Sequence, residues 1–342
     1  MDGRMKAAMI YGPYDLRIEE ADKPTIGDDK VLIEVDACGI CPSDVRGYTG
    51  ARKATHGFPY VPGHEWVGHV VELGRNVSGF KEKDRVVPDW RVVCGRCYYC
   101  SRGIFNYCSN LARDAVGGGF CEYGYATVPN LRLIPTNVSY EEACFTEPLA
   151  CCINGVKRCN IQVGDDVAIV GSGPIGLMHL QLAKRLGARV ISCDIIGERL
   201  EKAKSLGADE LIDSSKGDQI ERIKELTDGR GANTVIIAVG GRKPIEQGME
   251  MAGICGTVNI FAGTYPPATI QFDPNTIHYK QLWVTGSHDY TPHDFTTALK
   301  LIANGIVRVR PLISHVLPLE KTKEGFDMVA GQKGLKVIID IA

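Results

Sequence analysis

An α/β fold in two domains, a barrel of short β-strands and a doubly wound parallel sheet, is what this sequence predicts. Two observations carry the prediction. The texture of the chain changes near residue 160: before it, short β-prone runs lie between glycine- and proline-rich turns, and after it apolar strands alternate with helical stretches. At that change stands Gly171-Ser-Gly173-Pro-Ile-Gly176, preceded by an apolar run and followed by a helical pattern. A length of 342 residues suits two domains with a large core.

In order, the first region offers strands at Val31–Val35, Val67–Val71, Asp84–Val87 and Glu122–Val128, each bounded by turn residues. The second offers Asp166–Val170, Arg189–Cys193, Glu210–Ile212, Thr234–Val239, Thr257–Phe261 and Leu282–Gly286. Helices at Pro174–Leu186 and Glu198–Leu206 lie between them. Each is closed by a glycine, Gly187 or Gly207, the residue that best tolerates a left-handed cap. Strands alternating with helices give a parallel sheet wound on both faces. Beyond about residue 290 come a helix, Phe295–Asn304, and final strands.

The glycine turn has the context of a dinucleotide site. Gly171 permits the tight turn, Gly173 lets backbone approach a pyrophosphate, and Gly176 lets helix pack closely on strand. Pro174 and Ile175 open the helix, whose first N–H groups face the phosphates; proline costs nothing there. Asp194 ends the next strand, where a carboxylate accepts from an adenosine ribose and repels a 2′-phosphate. NAD is therefore expected over NADP, with Arg199 close enough to soften the preference.

Metal chemistry is written in the first region. Cys94, Cys97, Cys100 and Cys108 are separated by two, two and seven residues, a spacing that lets four thiolates converge on one zinc in a closed, structural site. Upstream, Cys38-Gly-Ile-Cys41-Pro-Ser43-Asp44 and Gly63-His64-Glu65 bring together thiolate, imidazole and carboxylate, the mixture of a zinc with an exchangeable position. Glu147, in Thr146-Glu147-Pro148, adds another carboxylate.

With these motifs the chain resembles, almost end to end, the zinc-dependent medium-chain alcohol and polyol dehydrogenases, most closely the sorbitol, threonine and sugar-alcohol branch. The resemblance implies a GroES-like catalytic domain, residues 1–150 and 290–342, and a Rossmann domain, residues 151–289. It implies catalytic zinc on Cys41 and His64, with Glu65 or Glu147 as the last protein ligand and water exchanging in. Cys38 is then a packed residue. Ser43 would hydrogen-bond the substrate oxygen. Asp44 would accept from the far nitrogen of His64 and fix its tautomer. Arg46 stands where the family commonly has a relay histidine and cannot shuttle protons near neutral pH, which leaves Glu65, Glu147 or ordered water for the proton. Ser287 and the following His288-Asp289 belong to a loop that reaches the nicotinamide and substrate in polyol dehydrogenases. His56 is a candidate substrate contact, whereas His69 reads as packed and His179 as mid-helix.

The implied reaction is hydride transfer from a secondary alcohol of a polyol, sugar alcohol or cyclitol to NAD. Zinc lowers the pKa of bound water from about 15.7 to about 7. A similar shift of a bound alcohol is worth on the order of 12 kcal/mol. Simple alcohols, threonine-type substrates and amino-alcohols are alternatives, as is a non-catalytic zinc and dinucleotide sensor. Arg46, Arg52, Lys53 and Arg113 keep phosphorylated polyols among them.

Composition agrees. Thirty-nine basic against 41 acidic residues leave no electrostatic footprint for nucleic acid or an anionic membrane. The first residues lack the apolar core of a signal peptide, and no run is long enough to span a bilayer. Thirteen cysteines, five assigned to zinc and the rest scattered, fit a cytoplasmic chain with reduced thiols. The apolar strand Leu282–Ser287 should lie at a sheet edge and, by the resemblance, build a homodimer or homotetramer.

Overall fold

A computed structural model describes residues 3–52, 57–112 and 115–342. His56, Lys53 and Arg113 lie outside the described residues. The chain divides into two compact units, one of Met1–Pro148, Thr291–Asn304 and Val309–Ala342, the other of Leu149–Tyr290 and Gly305–Arg308.

The first unit begins with an antiparallel hairpin, β1 (Arg4–Gly12) and β2 (Asp15–Asp22). There follow β3 (Lys30–Gly39), α1 (Pro42–Tyr48), β4 (Glu65–Leu73), β5 (Arg85–Pro88) and the short helix α2 (Tyr98–Ser101). Next come β6 (Val116–Gly117), β7 (Tyr123–Thr127), β8 (Leu131–Leu133), α3 (Tyr140–Ala143) and α4 (Thr146–Lys157). The chain passes from the first unit to the second within α4.

The second unit alternates strand and helix: β9 (Asp166–Val170), α5 (Pro174–Arg185), β10 (Arg189–Asp194), α6 (Gly197–Ser205), β11 (Glu210–Asp213), α7 (Gln219–Leu226). It continues with β12 (Ala232–Ile237), α8 (Arg242–Met251), β13 (Ala252–Ile260), α9 (Pro274–Lys280) and β14 (Trp283–Gly286). The six strands form one parallel sheet in the order β11-β10-β9-β12-β13-β14. This is the doubly wound sheet that the alternation predicts. Its core packs Ala168, Val170, Ile191, Val235, Ile237 and Val258, all almost fully buried.

The chain then adds α10 (Pro292–Ala303), β15 (Ile313–Pro318), α11 (Thr322–Ala330) and β16 (Lys336–Asp340) to the first unit. Its sheet runs β15-β16-β3-β4-β5-β8, with β7 paired to β3 and β6 to β7. The register places one residue at its centre: Gly39 on β3 lies opposite Glu65 of β4 on one side and Ile338 of β16 on the other. Val31, Ile33, Val35, Tyr48, Phe120 and Phe326 fill the core beneath.

Of the boundaries that differ from the sequence expectation, two have a visible local cause. Helix α10 starts at Pro292, because Thr291 caps it and Asp294 returns the bond to the Thr291 N–H at 2.9 Å. Strand β13 starts at Ala252 rather than Thr257, continuing directly from α8 through a residue of positive φ, Cys255.

Candidate active site

In the first unit, α1 begins at a cysteine. Cys41 is the N-cap, and its Sγ accepts from the Ser43 N–H at 3.5 Å and from Ser43 Oγ at 3.2 Å. Sulfur here takes the capping role usually given to a side-chain oxygen. The reciprocal half is Asp44, whose Oδ2 accepts from the Cys41 N–H at 3.1 Å. The same carboxylate reaches a second element, since Asp44 Oδ1 lies 3.2 Å from His64 Nδ1, just before β4. One buried carboxylate thus orients Cys41 and His64 together, taking Nδ1 so that Nε2 is the nitrogen that can meet a metal. Burial lowers the His64 pKa, but the facing Asp44 and Cys41 charges outweigh it and hold the imidazole well above its usual range.

Glu65 completes the group. Ligand atoms of Cys41, His64 and Glu65 all lie within 4.8 Å of one another. Three donors of sulfur, nitrogen and oxygen fit a zinc that keeps an open position. Glu147, buried in the first turn of α4, is not in this set, and neither is the buried Cys38.

Sequence reasoning missed two neighbours. Lys336, at the start of β16, is buried with its ammonium group against Glu65 Oε2 and 3.1 Å from the Ile40 carbonyl. Burial pushes its pKa down, but the charges of Glu65 and Cys41 prevail and raise it overall. A lysine heading an apolar C-terminal strand was the available signal. The second is Trp90, whose ring meets that of His64 edge-on at 6.2 Å. Its neighbour Arg91 stacks on it at 5.0 Å and donates to the Asn106 carbonyl at 2.6 Å.

Asn106 belongs to the cysteine lobe. Cys94, Cys97, Cys100 and Cys108 form a second group within 4.8 Å, and all thirteen cysteines of the chain are free. Backbone amides are aimed at the sulfurs, from Cys100 to Cys97 at 3.5 Å and from Cys94 to Cys108 at 3.3 Å. Such bonds favour thiolate, and the Cys97 thiol is brought down to about 6, first by the Cys100 amide. Four convergent sulfurs fit a closed zinc site.

The other histidines have separate settings. His69 on β4 contacts Asp36 at 2.8 Å and is half-buried. His179 is fully buried inside α5 against Phe261, and neither ring nitrogen has a hydrogen-bond partner.

In the second unit, the turn from β9 to α5 is built for close approach. Gly171 has φ +97°, and a Cβ on Gly176 would collide with the Gly171 carbonyl. Gly173 is the N-cap of α5 and supplies no side-chain cap, so the first amides are open to phosphate, with Pro174 and Ile175 behind it. Asp194 is buried at the end of β10. Its Oδ2 accepts from the Ser172 N–H at 2.6 Å and its Oδ1 from the Ile196 N–H at 2.9 Å, which fixes the carboxylate against the turn. Arg199 lies half-buried on α6. Ser287 donates to Asn259 Oδ1 at 3.4 Å. Asn154 Nδ2 holds the Asp289 carbonyl at 2.8 Å, with Asp289 at φ +53° and its carboxylate 3.3 Å from His288.

Two family profiles match the chain: the alcohol dehydrogenase GroES-like domain over residues 27–137 and the zinc-binding dehydrogenase domain over residues 174–304. The D-arabitol-phosphate dehydrogenase of Enterococcus avium is 35% identical, over 99% of this chain and 98% of its own. A sorbitol dehydrogenase of Halalkalibacterium halodurans is 34% identical over 96% of each chain. Among solved structures, a protein described as a zinc-binding dehydrogenase from Sinorhizobium meliloti 1021, bound to NADP, superposes with a TM-score of 0.91. It is 31% identical and covers 99% of this chain and 100% of its own. With its profiles spanning both units and full-length relatives above 30% identity, the chain belongs to the zinc-dependent medium-chain alcohol and polyol dehydrogenase family.

Proposed function

We propose that this protein oxidises a secondary alcohol of a polyol, sugar alcohol or cyclitol to a ketone, passing the hydride to NAD. Membership of a zinc dehydrogenase family makes it an oxidoreductase acting on CH–OH groups. The observation that carries the reading of the site is the Cys41, His64 and Glu65 cluster held by Asp44. Bound zinc would supply the Lewis acidity that stabilises an alkoxide. The chain's residues do the rest. Asp44 keeps His64 in the tautomer whose Nε2 can meet the metal, Ser43 lends its hydroxyl to the substrate oxygen, and the proton passes to Glu65, Glu147 or ordered water. The four-cysteine lobe carries a second, structural zinc.

The preference for NAD rests on Asp194, a fixed carboxylate facing the turn of the dinucleotide motif. A homodimer or homotetramer is supported by β14, an edge strand with Trp283 75% exposed. No helix among the described residues is long and apolar enough to cross a membrane, and reduced thiols support a cytoplasmic location.

A phosphorylated polyol is the second reading. It is favoured by the D-arabitol-phosphate dehydrogenase relative, by Arg46 in the last turn of α1 and by Arg52, whose backbone N–H donates to the Arg46 carbonyl at 3.0 Å. A panel of free and phosphorylated polyols, cyclitols and simple alcohols, each with NAD and NADP, is followed by nicotinamide absorbance. Turnover confined to unbranched monohydric alcohols would overturn the polyol reading; turnover of phosphorylated polyols alone would select the second.

A further inference from the structure

Lys336 and Glu65 form a buried ion pair beside the candidate metal group, with side chains 6% and 1% exposed. The strand register builds the pair. Glu65 lies across from Gly39, which lies across from Ile338, two residues beyond Lys336 on the same strand. The lysine therefore reaches past Gly39 to the carboxylate. Gly39 must lack a side chain for this, because a Cβ there would strike Glu65 Oε2 and sit 2.9 Å from Lys336 Cε. The ammonium group is also fixed by the Ile40 carbonyl at 3.1 Å and flanked by the Phe145 ring at 5.8 Å. A buried ion pair is weak evidence for stability, since desolvation offsets the attraction, so its place beside three ligand atoms asks for another explanation.

We infer that Lys336 is a positioning residue of the metal centre, pinning Glu65 Oε2 so that this carboxylate meets the metal through Oε1 alone and with part of its charge neutralised. The inference rests on the reading of Cys41, His64 and Glu65 as ligands. Its chemical consequence is a matter of charge. A thiolate and a carboxylate together cancel a divalent cation, and a centre of zero net charge has little preference for an anionic oxygen in its open position. Asp44, the carboxylate behind His64, takes the surroundings one unit negative, and the Lys336 ammonium group offsets that unit. With the cation in place the centre favours alkoxide over alcohol more than it would without it, and alkoxide is the form from which hydride leaves.

The test uses full-length protein with cobalt in the Cys41 centre and zinc kept in the four-cysteine lobe. The d–d spectrum is recorded, and azide is titrated as an anionic probe of the open position. Lys336→Met should change the d–d bands and weaken azide binding about tenfold or more. Lys336→Arg, which keeps the charge and the reach, should restore both. If Lys336→Met does not fold, Lys336→Gln keeps a hydrogen bond to Glu65 without the charge and is held to the same expectation. Wild-type bands and wild-type azide affinity in the uncharged variant would overturn the inference and leave Lys336 a packing residue. Metal analysis separates the two readings. Wild-type protein with zinc in the lobe only would defeat the ligand assignment itself, whereas two zinc ions with an indifferent Lys336 variant would defeat only the inference.

Discussion

At the residue scale, Asp44 is the most economical part of the site, because one carboxylate caps a helix through Cys41 and orients His64. Asp44→Asn should weaken zinc in the Cys41 centre about 10- to 100-fold, the usual cost of losing a partner behind a metal ligand. Competition with a chromogenic chelator measures it; unchanged affinity would mean that the ligands orient themselves. Asp194→Gly should cost roughly 1–3 kcal/mol of NADH binding and narrow the gap to NADPH. Fluorescence titration with both cofactors decides, and an unchanged ratio would remove Asp194 from the specificity argument. His179 gives a pH prediction. Burial holds its folded pKa down at about 3, against 6.5 in the open chain. Above 6.5 both states are neutral and stability is full. As pH falls below 6.5 the unfolded chain takes up a proton that the folded chain refuses, so stability drops by about 1.4 kcal/mol per unit until the folded pKa is reached. His179→Leu should flatten the fall of the denaturation midpoint between these limits. The ligand types and the glycine turn were legible in the sequence because they are local and spaced by covalent geometry. Lys336 was not, because its partner is 271 residues away and only the register of β3, β4 and β16 brings them together.

Among the elements, the cysteine lobe shows how a small segment without a core is held. Helix α2 has four residues, too few to stand alone, and its cap is Cys97, one of the four sulfurs. The lobe connects to the site through Asn106, Arg91 and Trp90, the last stacked edge-on against His64. Cys100→Ser should therefore release the lobe zinc, lower the melting temperature and reduce activity through the altered setting of Trp90. Differential scanning calorimetry with zinc analysis tests this, and full zinc content with an unchanged transition would refute it. Strand and helix positions in the second unit were readable because buried parallel strands are continuous apolar runs. The β1–β2 hairpin and the four-residue helices were not, since the hairpin's second strand, Asp15–Asp22, is mostly polar and the helices are about one turn long, too short for a period to repeat.

For the whole molecule, the exposed edge of the parallel sheet is the feature on which the proposed assembly rests. Trp283 and Val284 on β14, with Tyr279 on α9, present apolar surface beside unpaired strand backbone. Trp283→Glu should convert a dimer or tetramer into smaller species in light scattering. A wild-type monomer at micromolar concentration with full specific activity would end the assembly proposal. Chain order has a further consequence for how the enzyme comes into being. Residues 149–290 form their own unit between the parts of the first, and Lys336 is translated after all of them. While the ribosome is still at work, the nascent chain already holds every sulfur of the lobe but not the cation that faces Glu65. On the proposed assignments the lobe could take zinc early in synthesis, whereas Lys336 joins Glu65 only once β16 pairs with β3. On the proposed ligand assignment, a polypeptide released before β16 is made would keep Glu65 without the Lys336 cation.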